Sequence, residues 1–141
     1  MFGSHLSIAG SMSNALIEAD PLGLDTVQVF TKNQQQWQVK PLDPAVVSEW
    51  VAGLTSRGWL DRTVSHASYL INLASVQDEL WNKSVDLMTV ELERCEALKI
   101  PFLVHHPGSF VGWTLEEGTS RIAQAYKVLF KRTKGFRTVA C

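Results

Sequence analysis

Apolar runs of strand length alternate with stretches of helical periodicity along the whole chain. Phe2 to Ile8 reads as a short strand ending near Ala9-Gly10, and Ser11 or Ser13 is placed to cap a short helix through Ala19, which Pro21 and Gly23 help to end. Thr26 to Thr31 is a second strand, rich in β-branched residues, that empties into the polar run Lys32-Asn33-Gln34-Gln35-Gln36-Trp37. Asp43-Pro44 is a cap followed by proline at the first helical position. Val46, Val47, Trp50, Val51 and Leu54 then share one helical face, and Gly58 closes that helix. A third strand lies around Val64 to His66. The long helix after it runs from about Asp78 to Leu98, with Val85, Met88, Leu92 and Cys95 on its inner face. Phe102 to His106 is a fourth strand. Thr114-Leu115-Glu116-Glu117 forms a capping box opening a helix whose buried face is Ile122, Tyr126, Leu129 and Phe130. Gly135 marks its end, and Phe136 to Cys141 begins a fifth strand.

The steps between Phe2, Val27, Val64, Phe102 and Thr138, one marker per strand, are 25, 37, 38 and 36 residues. Such alternation predicts an α/β fold with parallel strands and right-handed crossovers. A doubly wound sheet fits, as does part of a (β/α)₈ barrel, which closes at ~250 residues. Five strands and four intervening helices in 141 residues suit the first as a complete domain and the second as a piece. A last strand reading Thr-Val-Ala-Cys leaves an open sheet edge, an aggregation liability unless another chain pairs with it, and open to self-association.

Composition narrows the classes. Apolar residues at 45% and charged residues at 19% indicate a globular chain and not a disordered one. The formal net charge of −1 excludes a strongly basic nucleic-acid binder, so any such role needs a local patch. Cys95 and Cys141 form neither a thiolate metal site nor a disulfide framework. The beginning of the chain does not read as a signal peptide and no stretch has membrane-spanning length, so a cytoplasmic location is expected.

Chemistry concentrates at two strand ends. His66 follows the β-branched Thr63-Val64, and His106 follows Phe102 to Val104 and precedes a Pro-Gly break. Neighbouring parallel strands lie about 4.8 Å apart. On such neighbours the two imidazoles emerge side by side, a geometry that suits one metal ion. Taken singly, each histidine reads first as a strand-end residue bonded to a nearby carbonyl; the matched pair brings the metal reading level with that one. Strand alternation places His106 on the face of Phe102 and Val104 and turns His105 the other way, as a spacer or a support behind the ligands. His5, at the end of the first strand, could line the same edge. No carboxylate of this chain sits at an equivalent strand end to complete the site. Tyr69-Leu70, beyond His66, could act as a wedge entering a base stack or as a lid over a small core. Lys32 to Trp37 offers a cation, amides and an indole for phosphates or bases, and could equally be a solvated loop. Lys127, Lys131, Arg132, Lys134 and Arg137 read as a solvated helix C-terminus.

At these residues a resemblance appears. Gly3-Ser4-His5-Leu6-Ser7-Ile8-Ala9-Gly10, Gln28 to Gln34, Ser65 to Leu73 and His106-Pro107-Gly108-Ser109 resemble successive motifs of the endonuclease IV family, in family order and over nearly the whole chain. The resemblance implies an incomplete TIM barrel, residues 1–141 forming one N-terminal portion cut within the fifth strand. It implies a zinc-dependent apurinic/apyrimidinic endonuclease that hydrolyses the phosphodiester 5′ to an abasic site and leaves a 3′-hydroxyl. Its partner would be double-stranded DNA with abasic sites, and its family site holds three zinc ions. By the same resemblance His66 and His106 share one zinc with a glutamate of the next strand, Tyr69 and Leu70 penetrate DNA, and Gln35 lies in a second DNA-recognition loop.

Three departures from the family pattern stand out. The chain ends before the bridging glutamate and all later ligands, so it is expected to be inactive by itself. Gln35 replaces an expected arginine. Ser11 and Lys99 stand where glycine is usual, which implies strained turns. A non-catalytic barrel piece with weak DNA binding, or a sugar-isomerase-like metal enzyme on the same barrel type, are the alternatives; the Tyr69-Leu70-Ile71-Asn72-Leu73 and Thr31-Lys32-Asn33-Gln34 runs argue against the isomerase.

Overall fold

A computed structural model describes residues 1–141. Nine elements follow one another: β1 (Gly3–His5), α1 (Ser13–Ala19), β2 (Thr26–Val29), α2 (Pro44–Arg57), β3 (Val64–His66), α3 (Asp78–Ala97), β4 (Phe102–Val104), α4 (Leu115–Arg132) and β5 (Val139–Ala140). The strands form one sheet in the order β1-β2-β3-β4-β5, every pair parallel.

That order decides between the two folds the spacing allowed. A doubly wound sheet reverses direction at a switch point, so its strand order is not sequential. Here each strand pairs with the next. Right-handed crossovers repeated without reversal put all the helices on one face of the sheet. The result is five strands of a TIM-type barrel wall, with helices outside and the lumen face open.

Register sorts the side chains accordingly. His5 pairs with Gln28, Gln28 with Val64, Val64 with Phe102 and Phe102 with Val139, making one row across the lumen face. Val27, Val29, Ser65 and Leu103 point the other way and are fully buried beneath the helices. Of these, Val27, Val29 and Leu103 join Leu16, Trp50, Leu54, Met88, Leu92 and Leu129 in one core. Trp50 is enclosed completely, and its indole N–H donates to the Leu98 carbonyl at 3.1 Å, so its buried donor is paired.

Local signals fix the helix ends. Asp43 accepts from the Ala45 amide at 2.8 Å with Pro44 next, and Gly58 ends α2 at φ 67°. In the capping box, Thr114 accepts from the Glu117 amide at 3.2 Å while the Glu117 carboxylate accepts from the Thr114 amide at 2.8 Å. α1 departs from expectation. Met12 occupies its cap position without a side-chain bond, Ser13 lies inside the helix, and the Ser11 hydroxyl accepts only from the Ser13 amide at 3.3 Å. Ser11 carries no strained φ either, because the left-handed position in that turn belongs to Gly10, at 83°. Phe130 also departs. It is 67% exposed, and Ala125 takes its place in the core. Phe130 instead packs its ring beside that of Tyr126, with centroids 5.5 Å apart. The strands are shorter than predicted, although single backbone bonds run past their ends, from Leu6 to Gln28 and from Ala67 to Val104.

Candidate functional site at the strand C-terminal rim

β1, β3 and β4 each deliver a histidine to one rim. The ring centroids of His66 and His106 are 5.2 Å apart, and those of His5 and His66 are 6.3 Å apart. Tyr69 lies over the pair, 5.2 Å from His66 and 5.8 Å from His106, with the latter two rings inclined by only 23°. Phe30 fills the gap behind them, 4.5 Å from His5 and 5.6 Å from His66. Pattern reading missed Phe30. Alternation along β2 contains the signal, since Thr26, Gln28 and Phe30 fall on the lumen face.

Hydrogen bonds fix how each imidazole can act. His66 is 9% exposed, and its Nδ1 bonds the Ala67 carbonyl at 2.7 Å. A carbonyl only accepts, so the proton sits on Nδ1 and the Nε2 lone pair is left for a ligand. His106 is exposed at the end of its strand. His105 turns to the helix side: Nδ1 donates to the His106 carbonyl at 3.0 Å and Nε2 accepts from the Tyr126 hydroxyl at 2.5 Å. Both nitrogens are engaged, so His105 has no donor pair to offer and braces the His106 backbone. Burial pulls its pKa down, which favours this neutral form. His5 shares Nδ1 with the Gln28 amide at 2.8 Å, and burial followed by the nearby His66 lowers its pKa.

The donor set suits part of a zinc site. Zinc–nitrogen bonds of ~2.0 Å at a tetrahedral angle put two imidazole centres about 5 Å apart, close to the 5.2 Å found here. No three His, Cys, Asp or Glu side chains are arranged so that together they could hold a metal ion. Cys95 adds nothing, since burial pushes its thiol up to about 12.

Two loops frame the histidines. In the β3–α3 loop Tyr69 is 62% exposed and Leu70 half-buried. In the β2–α2 loop Gln35 is exposed and Trp37 is 39% exposed. Lys32, which could have offered its charge to a phosphate, instead turns inward. Its side chain is 7% exposed, with the ammonium 3.4 Å from the Glu91 carboxylate. Asn72 latches a third loop: its Oδ1 accepts from the Ser109 amide and its Nδ2 donates to the Ser109 carbonyl, each at 3.0 Å.

The sequence profile of the xylose isomerase-like TIM barrel matches residues 17–139. This chain belongs to the xylose isomerase-like TIM-barrel family. Within that barrel family it is similar to a protein named "Probable endonuclease 4" of Chloroflexus aurantiacus, with 41% identity over 138 residues, 98% of this chain and 48% of the relative. A relative of the same name from Methanoculleus marisnigri is 39% identical over 93% of this chain and 46% of its own length. The crystal structure of endonuclease IV from Thermus thermophilus superposes with a TM-score of 0.79 at 36% identity, covering 98% of this chain and 49% of that one. A D-allulose 3-epimerase from Methylomonas sp., at TM-score 0.67 and 16% identity, shares the barrel fold alone. The chain therefore spans about half the length of the curated relatives it matches. No helix is long and apolar enough to cross a membrane.

Proposed function

We propose that this chain is the lesion-reading part of an endonuclease IV-like DNA-repair hydrolase, zinc-dependent and directed at the phosphodiester 5′ to an abasic site. The observation that carries the reading is the exposed Tyr69 ring, stacked on His106 and packed at a tilt against His66. An aromatic wedge and a pair of free metal donors thus share one rim. His66 and His106 would hold one zinc ion through their imidazole nitrogens, and a further carboxylate is needed from outside residues 1–141. Bound zinc supplies water activation at neutral pH and stabilises charge on phosphate oxygens.

The protein's own groups do the rest. Tyr69 and Leu70 enter the duplex and hold the backbone open, which is easiest where the base is already missing. Gln35 contacts the strand from the neighbouring loop as a neutral amide. The Ala67 carbonyl keeps the His66 ring oriented, and His105 braces the backbone that carries His106. In this reading the two histidines supply only part of the metal cage, so residues 1–141 alone are expected to incise negligibly.

Incubation with zinc and a duplex carrying one abasic site tests the reading. Binding should favour the abasic duplex over an intact one, fall when Tyr69→Ala is introduced, and proceed with negligible incision. Equal binding to both duplexes, unmoved by Tyr69→Ala, would defeat the lesion-reading role. Efficient 5′ incision abolished by a chelator would overturn the predicted inactivity.

A further inference from the structure

Beneath the two framing loops lies a buried ionic cluster that the metal and DNA roles leave unused. Its centre is Glu91 of α3, 1% exposed. One carboxylate oxygen accepts from the Ser68 amide at 3.0 Å and lies 3.4 Å from the Lys32 ammonium. The other accepts from the Thr31 hydroxyl at 3.2 Å. Lys32 in turn donates to the carbonyls of Asn33 at 3.2 Å and Gln36 at 3.4 Å, on either side of Gln35. Arg94 extends the cluster: its Nε donates to the Thr31 hydroxyl at 3.1 Å, and its guanidinium reaches the Thr31 and Lys40 carbonyls. The Ser68 hydroxyl closes the circuit across the loops by donating to the Gln34 carbonyl at 2.6 Å.

A carboxylate on an apolar helix stripe with Met88, Leu92 and Cys95 is an expensive choice. Burying an ion is offset only by close partners, and an apolar side chain would often pack there with equal or better stability. Glu91 bonds to two loops and to nothing else outside its own helix. One bond falls one residue before Tyr69. Another holds the lysine that gathers the carbonyls around Gln35. We infer that Glu91 is a positioning residue that locks the β2–α2 and β3–α3 loops into one unit, fixing Tyr69 and Gln35 relative to each other above the histidine pair. The consequence for DNA rests on the function proposed above, whereas the lock itself is a property of the free chain.

Amide hydrogen exchange on the free chain tests it, comparing wild type, Glu91→Gln and Thr31→Val. With Glu91→Gln, amides of residues 33–37 and 68–70 should exchange together, about tenfold faster or more, while those of α4 keep their rates. Loosening of one loop alone, or of neither, would overturn the lock. If Glu91→Gln loosens α4 as well, Thr31→Val decides. That variant removes one hydroxyl on the β2–α2 side; faster exchange at 68–70 supports coupling, and a change confined to 33–37 refutes it. A binding arm separates this inference from the function. If wild type fails to prefer the abasic duplex, the DNA reading falls while the exchange result still stands; if wild type prefers it, Glu91→Gln should reduce that preference.

Discussion

Lys99 is the single residue other than glycine with a positive φ, at 56°. It turns the chain from α3 into β4, with its amide donating to the Glu96 carbonyl at 3.3 Å. A side chain in the left-handed region costs about 1–2 kcal/mol, partly offset because glycine gives the unfolded chain more freedom to lose. Lys99→Gly is therefore expected to stabilise the chain by about 0.5–1 kcal/mol, raising the midpoint of thermal unfolding by roughly 2–4 °C. Calorimetry checks it; an unchanged or lower midpoint would mean that the lysine side chain contributes interactions outweighing the strain. The turn was legible in sequence only because glycine was expected there. The same reasoning applied to Ser11 fails, since Gly10 already supplies the left-handed residue. One residue of offset decides which position bears the strain, and sequence pattern alone does not resolve it.

Among the connecting elements, the β4–α4 loop is the most tightly specified. Gly108 has φ 107°, and an added Cβ would overlap Asn72 Oδ1 and lie 2.9 Å from the Asn72 backbone. The carboxamide occupying that space is the one that clasps Ser109. Gly108→Ala should destabilise the chain by about 1–3 kcal/mol through strain and displacement of the latch. Because the loop carries His106, the proposed zinc ligand, the substitution should also weaken zinc uptake, measured by competition with a chromophoric chelator. Adding Asn72→Ala removes the Oδ1 clash but neither the unfavourable φ nor the crowding against the residue 72 backbone, so only partial recovery is expected; full recovery would place the whole effect in the side-chain overlap. Helices were easier to read than strands and loops. α2 and α4 carry their start signals within a few residues, as Asp43-Pro44 and Thr114–Glu117. The strands pair over two to four residues, and where they stop depends on neighbours that a local pattern does not contain. Glu91 and Phe30 escaped for different reasons. Phe30 follows from alternation along β2, and Glu91 falls on the buried stripe of α3. A buried carboxylate signals a role without naming partners, which here lie 23 and 60 residues away.

At the scale of the whole chain, charge and topology separate two ways of holding DNA. The strands all run toward the histidine rim, so each helix runs back and ends at the opposite rim. Lys127, Lys131, Arg132, Lys134 and Arg137 thus lie at the far end from Tyr69, with Arg132 already bonded to Asp86 at 2.7 Å. Near the loops proposed to read the lesion, the one cation of the Lys32–Trp37 run is buried against Glu91. Net charge is −1, so no general field supplements the site. Lesion binding should therefore release few counterions, with log K falling against log salt at a slope no steeper than about −2. If the far cluster contributes non-specific contacts to intact duplex, those contacts should be the part that salt removes. Replacing Lys131 and Lys134 by glutamine should lower binding to intact DNA and leave the loss on Tyr69→Ala, measured on the abasic duplex, unchanged. Titrations by fluorescence anisotropy between low and physiological salt read both quantities. A steep slope for the abasic duplex that survives the double glutamine variant would require a cationic group at the histidine rim, and would contradict the inward placement of Lys32.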